Sequence, residues 1–188
     1  MRTLLRSLLW QRVDLPGLEH FRLWQTPEGA QLEGTVVAAL DGAPVEARYT
    51  VACSPAWETR SVRVEVSSGA GARSLELTVD AEGRWHVDGR RIDELDGCVD
   101  VDLAISPSTN TLPIRRLDLA VGETRDVTAA WIRFPELAVM RLPQRYTRVA
   151  ERRYRYESGG GSFVREIEVD ELGLVVRYPG LWERCAET

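Results

Sequence analysis

Asp100 and Asp102 stand two residues apart in the stretch Asp96-Gly97-Cys98-Val99-Asp100-Val101-Asp102-Leu103, and Arg115 and Arg116 follow it across a polar turn through Thr109, Asn110 and Thr111. If this is a strand, the two carboxylates share one face while Val99, Val101, Leu103 and Ile105 form an aliphatic second face. Adjacent like charges on a strand repel unless cations lie near. The spacing therefore predicts an internal acid–arginine network, with Asp100 and Asp102 bonded to Arg115 or Arg116. The neighbouring acids Asp88, Asp93, Glu94 and Asp96 raise the question of a divalent metal. They are interleaved with Arg90, Arg91 and apolar strand positions, whereas a calcium loop needs closely alternating oxygen ligands. Arginine pairing is the expectation, with no metal and no cofactor.

Two histidines are available for acid–base work. His20 follows Glu19 in an alternating segment, so the two side chains point to opposite faces and form no dyad. His86 follows Trp85 close to an Asp88-Gly89 turn. No nucleophile elbow, paired histidine ligands or Cys–His constellation accompanies them. Gly159-Gly160-Gly161 lacks the Gly-Lys-Ser/Thr that a phosphate loop requires and is expected as a hairpin tip.

The elements that must position these residues are mostly strands. Valines at 62, 64 and 66 alternate with Arg63 and Glu65, and the same period of two runs through Leu32–Leu40, Val45–Ala52, Leu75–Val79, Val139–Val149, Phe163–Val169 and Leu174–Tyr178. Asp41-Gly42, Glu82-Gly83 and Asp88-Gly89 supply hairpin turns between them. So many strands in 188 residues cannot lie flat in one open sheet, because twist accumulates, and the pattern predicts a single rolled sheet. One helix is expected between Ser106 and Leu119, with Pro113 in its first turn, seated inside the roll or over its mouth. The leucines at 4, 5, 8 and 9 suggest a second, short N-terminal helix.

The length suits one domain, residues 1–188, with a core large enough to need no disulfide. Three widely spaced cysteines form neither a disulfide framework nor a zinc pattern. No signal-peptide pattern or membrane-spanning run occurs, and the expected compartment is the cytoplasm. The net charge is −5 and every basic residue is arginine, with no basic stripe for nucleic acid. Six tryptophans and five tyrosines offer flat apolar faces and polar edges suited to sugars or lipids.

Several segments together resemble the glycolipid-binding family of bacterial proteins. They include Pro16-Gly17-Leu18-Glu19-His20, Trp57-Glu58-Thr59-Arg60-Ser61, Gly83-Arg84-Trp85-His86-Val87-Asp88-Gly89, Asp96-Gly97-Cys98-Val99-Asp100-Val101-Asp102 and Thr109-Asn110-Thr111-Leu112-Pro113-Ile114-Arg115-Arg116. Gln144-Arg145-Tyr146-Thr147 and the run from Asp170 to Gly180 extend the match from Trp10 to Trp182. The resemblance implies a mainly β fold, a long antiparallel sheet wound as a spiral β-roll around a single central α-helix, and a homodimer. It also implies an apolar residue where Ser108 stands.

The function expected on this basis is non-catalytic binding of a glycolipid or other amphipathic small molecule in the concave face of the sheet. Trp57, Arg60, Trp85, Asn110, Arg115, Gln144 and Tyr146 are the candidate ligand-binding residues. Two other readings stand beside it: an enzyme acting on a small polar substrate through Glu19, His20 or His86, and a dimeric scaffold with no small ligand.

Overall fold

Alternating burial carries the architecture. In the computed structural model, which describes residues 1–188, Val62, Val64 and Val66 are buried while Arg63 and Glu65 face solvent. Fifteen strands follow this rule to different degrees. The first eight are β1 (Thr3–Arg12), β2 (Gly17–Thr26), β3 (Gly29–Leu40), β4 (Ala43–Cys53), β5 (Thr59–Ser68), β6 (Gly71–Val79), β7 (Trp85–Val87) and β8 (Arg90–Arg91). After the central segment come β9 (Asp100–Leu103), β10 (Thr124–Ile132), β11 (Val139–Ala150), β12 (Arg153–Ser158), β13 (Phe163–Val169), β14 (Val175–Tyr178) and β15 (Trp182–Glu187). The one α-helix, α1 (Thr111–Leu117), is entered through a 3-10 turn at Ser108–Asn110.

All fifteen strands belong to one sheet, in the order β8-β7-β6-β5-β4-β3-β2-β1-β15-β14-β13-β12-β11-β10-β9. From β1 to β8 and from β10 to β15 chain neighbours pair as antiparallel hairpins, and the two arms meet where the first strand pairs with the last. The Asp41-Gly42 and Asp88-Gly89 turns hold positive φ at both residues, matching the right-handed twist of the strands they join. The expected N-terminal helix is instead β1. Leu8 and Trp10 point inward in strand alternation, and pairing with both β2 and β15 outweighs the local leucine spacing.

The sheet coils until its far end returns to its own inner surface. β9 pairs with β10 in parallel, and its other side reaches the start of β5. There Thr59 N–H donates to the Val99 carbonyl at 3.2 Å and Val101 N–H donates to Thr59 Oγ1 at 3.1 Å. Trp85 of β7 donates its indole N–H to the Cys98 carbonyl at 2.9 Å. These isolated bonds form no continuous ladder, so the result is a spiral and not a closed barrel. β9 is thereby buried on both faces, as a parallel strand inside a fold usually is.

The concavity holds the segment from β9 through α1. Leu103, Ile105, Leu112, Ile114 and Leu119 join the same hydrophobic cluster as the inner faces of both arms. Each buried aliphatic side chain of this kind contributes about 1.5–3 kcal/mol. No helix is long and apolar enough to cross a membrane.

Candidate binding site

The central segment is seated on the sheet by two polar clusters, one on each arm. On the first arm Glu19 of β2 is fully buried. Tyr49 reaches it from β4 by lying across β3 at Gly34, where a Cβ would stand 2.3 Å from the tyrosine ring. The phenol donates to Glu19 Oε1, Ser106 Oγ donates to the same oxygen at 2.8 Å, and Ser108 Oγ lies 2.7 Å from the phenol oxygen. Ser108 therefore serves as a polar latch where the family resemblance implied an apolar residue. Glu19 Oε2 is sealed without a partner, and no guanidinium is within ion-pair distance. Burial pushes the Glu19 carboxyl up to about 8, against the opposing pull of Tyr49 and Ser106.

On the second arm the two aspartates of β9 take different partners. Asp100 grips Arg116 in a two-pronged pair, Nε to Oδ1 at 3.1 Å and Nη2 to Oδ2 at 2.6 Å. Asp102 accepts the Gln144 amide Nε2–H at 2.5 Å, has the Tyr156 phenol close by, and pairs with no arginine. Burial pushes the Asp102 carboxyl up to about 6, while Gln144 and Tyr156 pull it down. The expected acid–arginine network is thus half of what forms. Arg115 turns away and stacks over the Trp57 ring, 5.1 Å from its centroid.

Gln144 opens onto a cleft of about 700 Å³ between the last turn of α1 and strands β10–β12. Val127, Gln144 and Ser158 form one rung across β10, β11 and β12. Arg116, Leu117, Val99 and the hairpin tip at Gly160-Gly161 complete the walls. Every charge bordering it is matched: Arg116 with Asp100, Arg145 with Asp126 at 2.6 Å, and Glu157 with Arg155 at 3.2 Å. With the lining charges paired and Asp102 the one unpaired carboxylate behind the wall, the site suits neutral hydroxyl groups better than phosphate or carboxylate. Val99, Leu117 and Val127 add apolar surface for C–H faces.

The structure disperses the seven candidate residues. Gln144 lines this cleft. Tyr146 is buried beneath it and donates to Asn110 Oδ1 at 3.0 Å, while Asn110 donates to the Pro107 carbonyl, so the pair ties the helix entry to the sheet. Trp85 is fully buried and presents nothing to a ligand. Arg60 is exposed on the outer face, paired with Glu58 at 2.7 Å. Arg115 borders a second, smaller cleft of about 360 Å³, with Asp118, Arg148, Glu151 and Arg152. Trp57 supports it at a positive φ of 65°, an unusual backbone for a bulky residue.

Neither histidine lines either cleft. His20 is exposed on β2 beside Ser7 Oγ at 3.1 Å, and His86 lies on β7, five strands away in the sheet. Arg116, Asp102, Thr128 and Ser158 were missing from the predicted site. The twin aspartates did signal a shared polar seat, but the Val127–Gln144–Ser158 rung depends on register across three strands. No local pattern in the chain reports it.

A spiral β-roll around one short helix, with a charge-paired polar cleft beside that helix, defines the class. The chain belongs to the family described as "Putative glycolipid-binding", whose model matches residues 7–184. It is also similar to the crystal structure of a DUF1089 family protein from Pseudomonas aeruginosa, at 37% identity and a TM-score of 0.83. That match covers 90% of this chain and 92% of the other. No curated protein matches the sequence.

Proposed function

We propose that the protein is a non-catalytic binder of a glycolipid or related amphipathic glycoside, and that the cleft beside Gln144 and Arg116 receives its sugar group. The observation that carries this reading is the pairing of every charge that lines a roomy polar cleft. Arg116 spends Nε and Nη2 on Asp100 and keeps Nη1 as a donor, while Gln144 keeps its amide oxygen as an acceptor. A donor and an acceptor on one wall match the dual character of a hydroxyl. The family description agrees with a sugar-bearing ligand. The roll's interior is occupied by α1 and its flanks, so the apolar tail lies outside the concavity in this reading, in contrast to the ligand-filled concave face expected from the sequence.

The same proposal includes a cytoplasmic homodimer. The free thiols of Cys53, Cys98 and Cys185 suit a reducing compartment, and the molar mass in solution checks the dimer. Calorimetric titration with octyl β-glucoside, glucose 6-phosphate and octanoate tests the ligand class. The neutral glycoside is expected to bind best, with Gln144→Ala weakening it about tenfold. Preference for the phosphate or the fatty acid, or equal binding by Gln144→Ala, would contradict the proposal.

A further inference from the structure

Asp100 and Asp102 do parallel work on two cleft-lining side chains. Asp100 takes the inner N–H groups of Arg116, and Asp102 takes an N–H of the Gln144 amide. Gln144 is almost fully buried, yet its Oε1 makes no hydrogen bond within the protein and is not among the sealed, unpartnered atoms, which are Arg6 Nε, Glu19 Oε2 and Arg184 Nε. The amide oxygen therefore faces the cleft. A carboxylate is acceptor-only and cannot face an amide oxygen, so an ionised Asp102 forces this orientation.

We propose that Asp102 is a positioning residue for recognition: by holding the Gln144 amide with its carbonyl outward, it makes the cleft select a hydroxyl that donates at this point. This rests on the sugar-binding reading of the cleft and adds its specificity. An acceptor-only substituent at that position meets the Gln144 oxygen with no proton between them and is rejected. Protonation of Asp102 supplies a donor to the amide and releases the constraint. The groups facing Asp102 or acting on it through space are the Gln144 amide of β11, the Tyr146, Tyr156 and Tyr178 phenols of β11, β12 and β14, and the nearby Asp100–Arg116 pair. The three phenols are pushed far above their ordinary range by burial, so the carboxyls are the groups here that titrate at acid pH, and of the two Asp102 is the one bonded to Gln144.

The test follows the Gln144 side-chain amide by NMR in the ligand-free protein from pH 4.5 to 7.5, alongside calorimetry with octyl β-glucoside and its ring-fluorinated deoxy analogues. The amide signal is expected to titrate with a midpoint near 6, as Asp102 does. Asp102→Asn should abolish that titration, weaken glucoside binding about tenfold and narrow the discrimination between hydroxyl and fluorine. The double variant Asp102→Asn with Gln144→Glu places the donor on the inner residue and keeps an acceptor outward. It should recover most of the affinity. An Asp102→Asn variant that binds like the original at every pH overturns this inference and leaves the sugar site standing. A titrating amide with no glucoside binding at any pH overturns the sugar site, and the specificity falls with it.

Discussion

Glu19 and Asp102 are built alike and used differently. Each is an inward carboxyl with no guanidinium partner, flanked by one tyrosine and one further polar side chain: Glu19 is bonded by Tyr49 and Ser106, while Asp102 is bonded by Gln144 with Tyr156 close by. Burial raises both, to about 8 and about 6. The partners of Glu19 end inside the roll, where Ser106 and Ser108 belong to the central segment. The Gln144 partner of Asp102 ends at a cleft wall. The first cluster is a seat for α1, and the second is a seat that also faces water. The same chemistry becomes available for recognition only where the second partner is at a surface.

That contrast is probed most severely by Glu19→Gln, which removes the charge of the sealed seat. Between the ordinary value of 4.5 and the raised value of about 8 the folded protein binds more protons than the unfolded chain, so its stability falls as pH rises through this window. Glutamine removes that slope. The variant should match the original near pH 4 and exceed it at pH 8 by about 4 kcal/mol, read from denaturation midpoints across pH.

The same seat can be broken at Gly34. Any side chain there collides with the Tyr49 ring and pushes the phenol off Glu19. Gly34→Val is expected to destabilise the fold by about 3 kcal/mol in chemical denaturation, with Gly69→Ala, where a Cβ meets nothing within 4 Å, costing far less.

Trp57→Ala removes the platform under Arg115, next to the second cleft. A loss of about 1 kcal/mol is expected, with unchanged glucoside affinity. Ser158→Ala should be the reverse: stability within about 0.5 kcal/mol of the original, and glucoside binding reduced severalfold.

Much of this organisation was legible in the sequence. Val62–Val66 and the Asp-Gly turns carry their strands openly, and Pro113 in the first turn of α1 fits the single helix that forms. β1 is ambiguous in the sequence because Leu4, Leu5, Leu8 and Leu9 satisfy a helical spacing as well, and only pairing with residues at the opposite end of the chain decides between the two. The site was harder. Trp57, Trp85 and Arg60 share a composition suited to sugars, yet one supports an arginine, one fills the core and one lies outside. Composition carries no information about which face of a curled sheet a side chain occupies. Ser108 shows the same limit, since its role depends on Glu19 and Tyr49 arriving from two distant strands.

Binding of a neutral sugar group in the cleft walled by α1 and β10–β12 is tested most directly by amide NMR mapping of the protein titrated with octyl β-glucoside. Shifts concentrated at Val127, Thr128, Gln144, Ser158, Gly160 and Gly161 are expected, abolished by Gln144→Ala. Shifts centred instead on Arg115, Arg148 and Tyr154, or none at saturating glucoside, would contradict it.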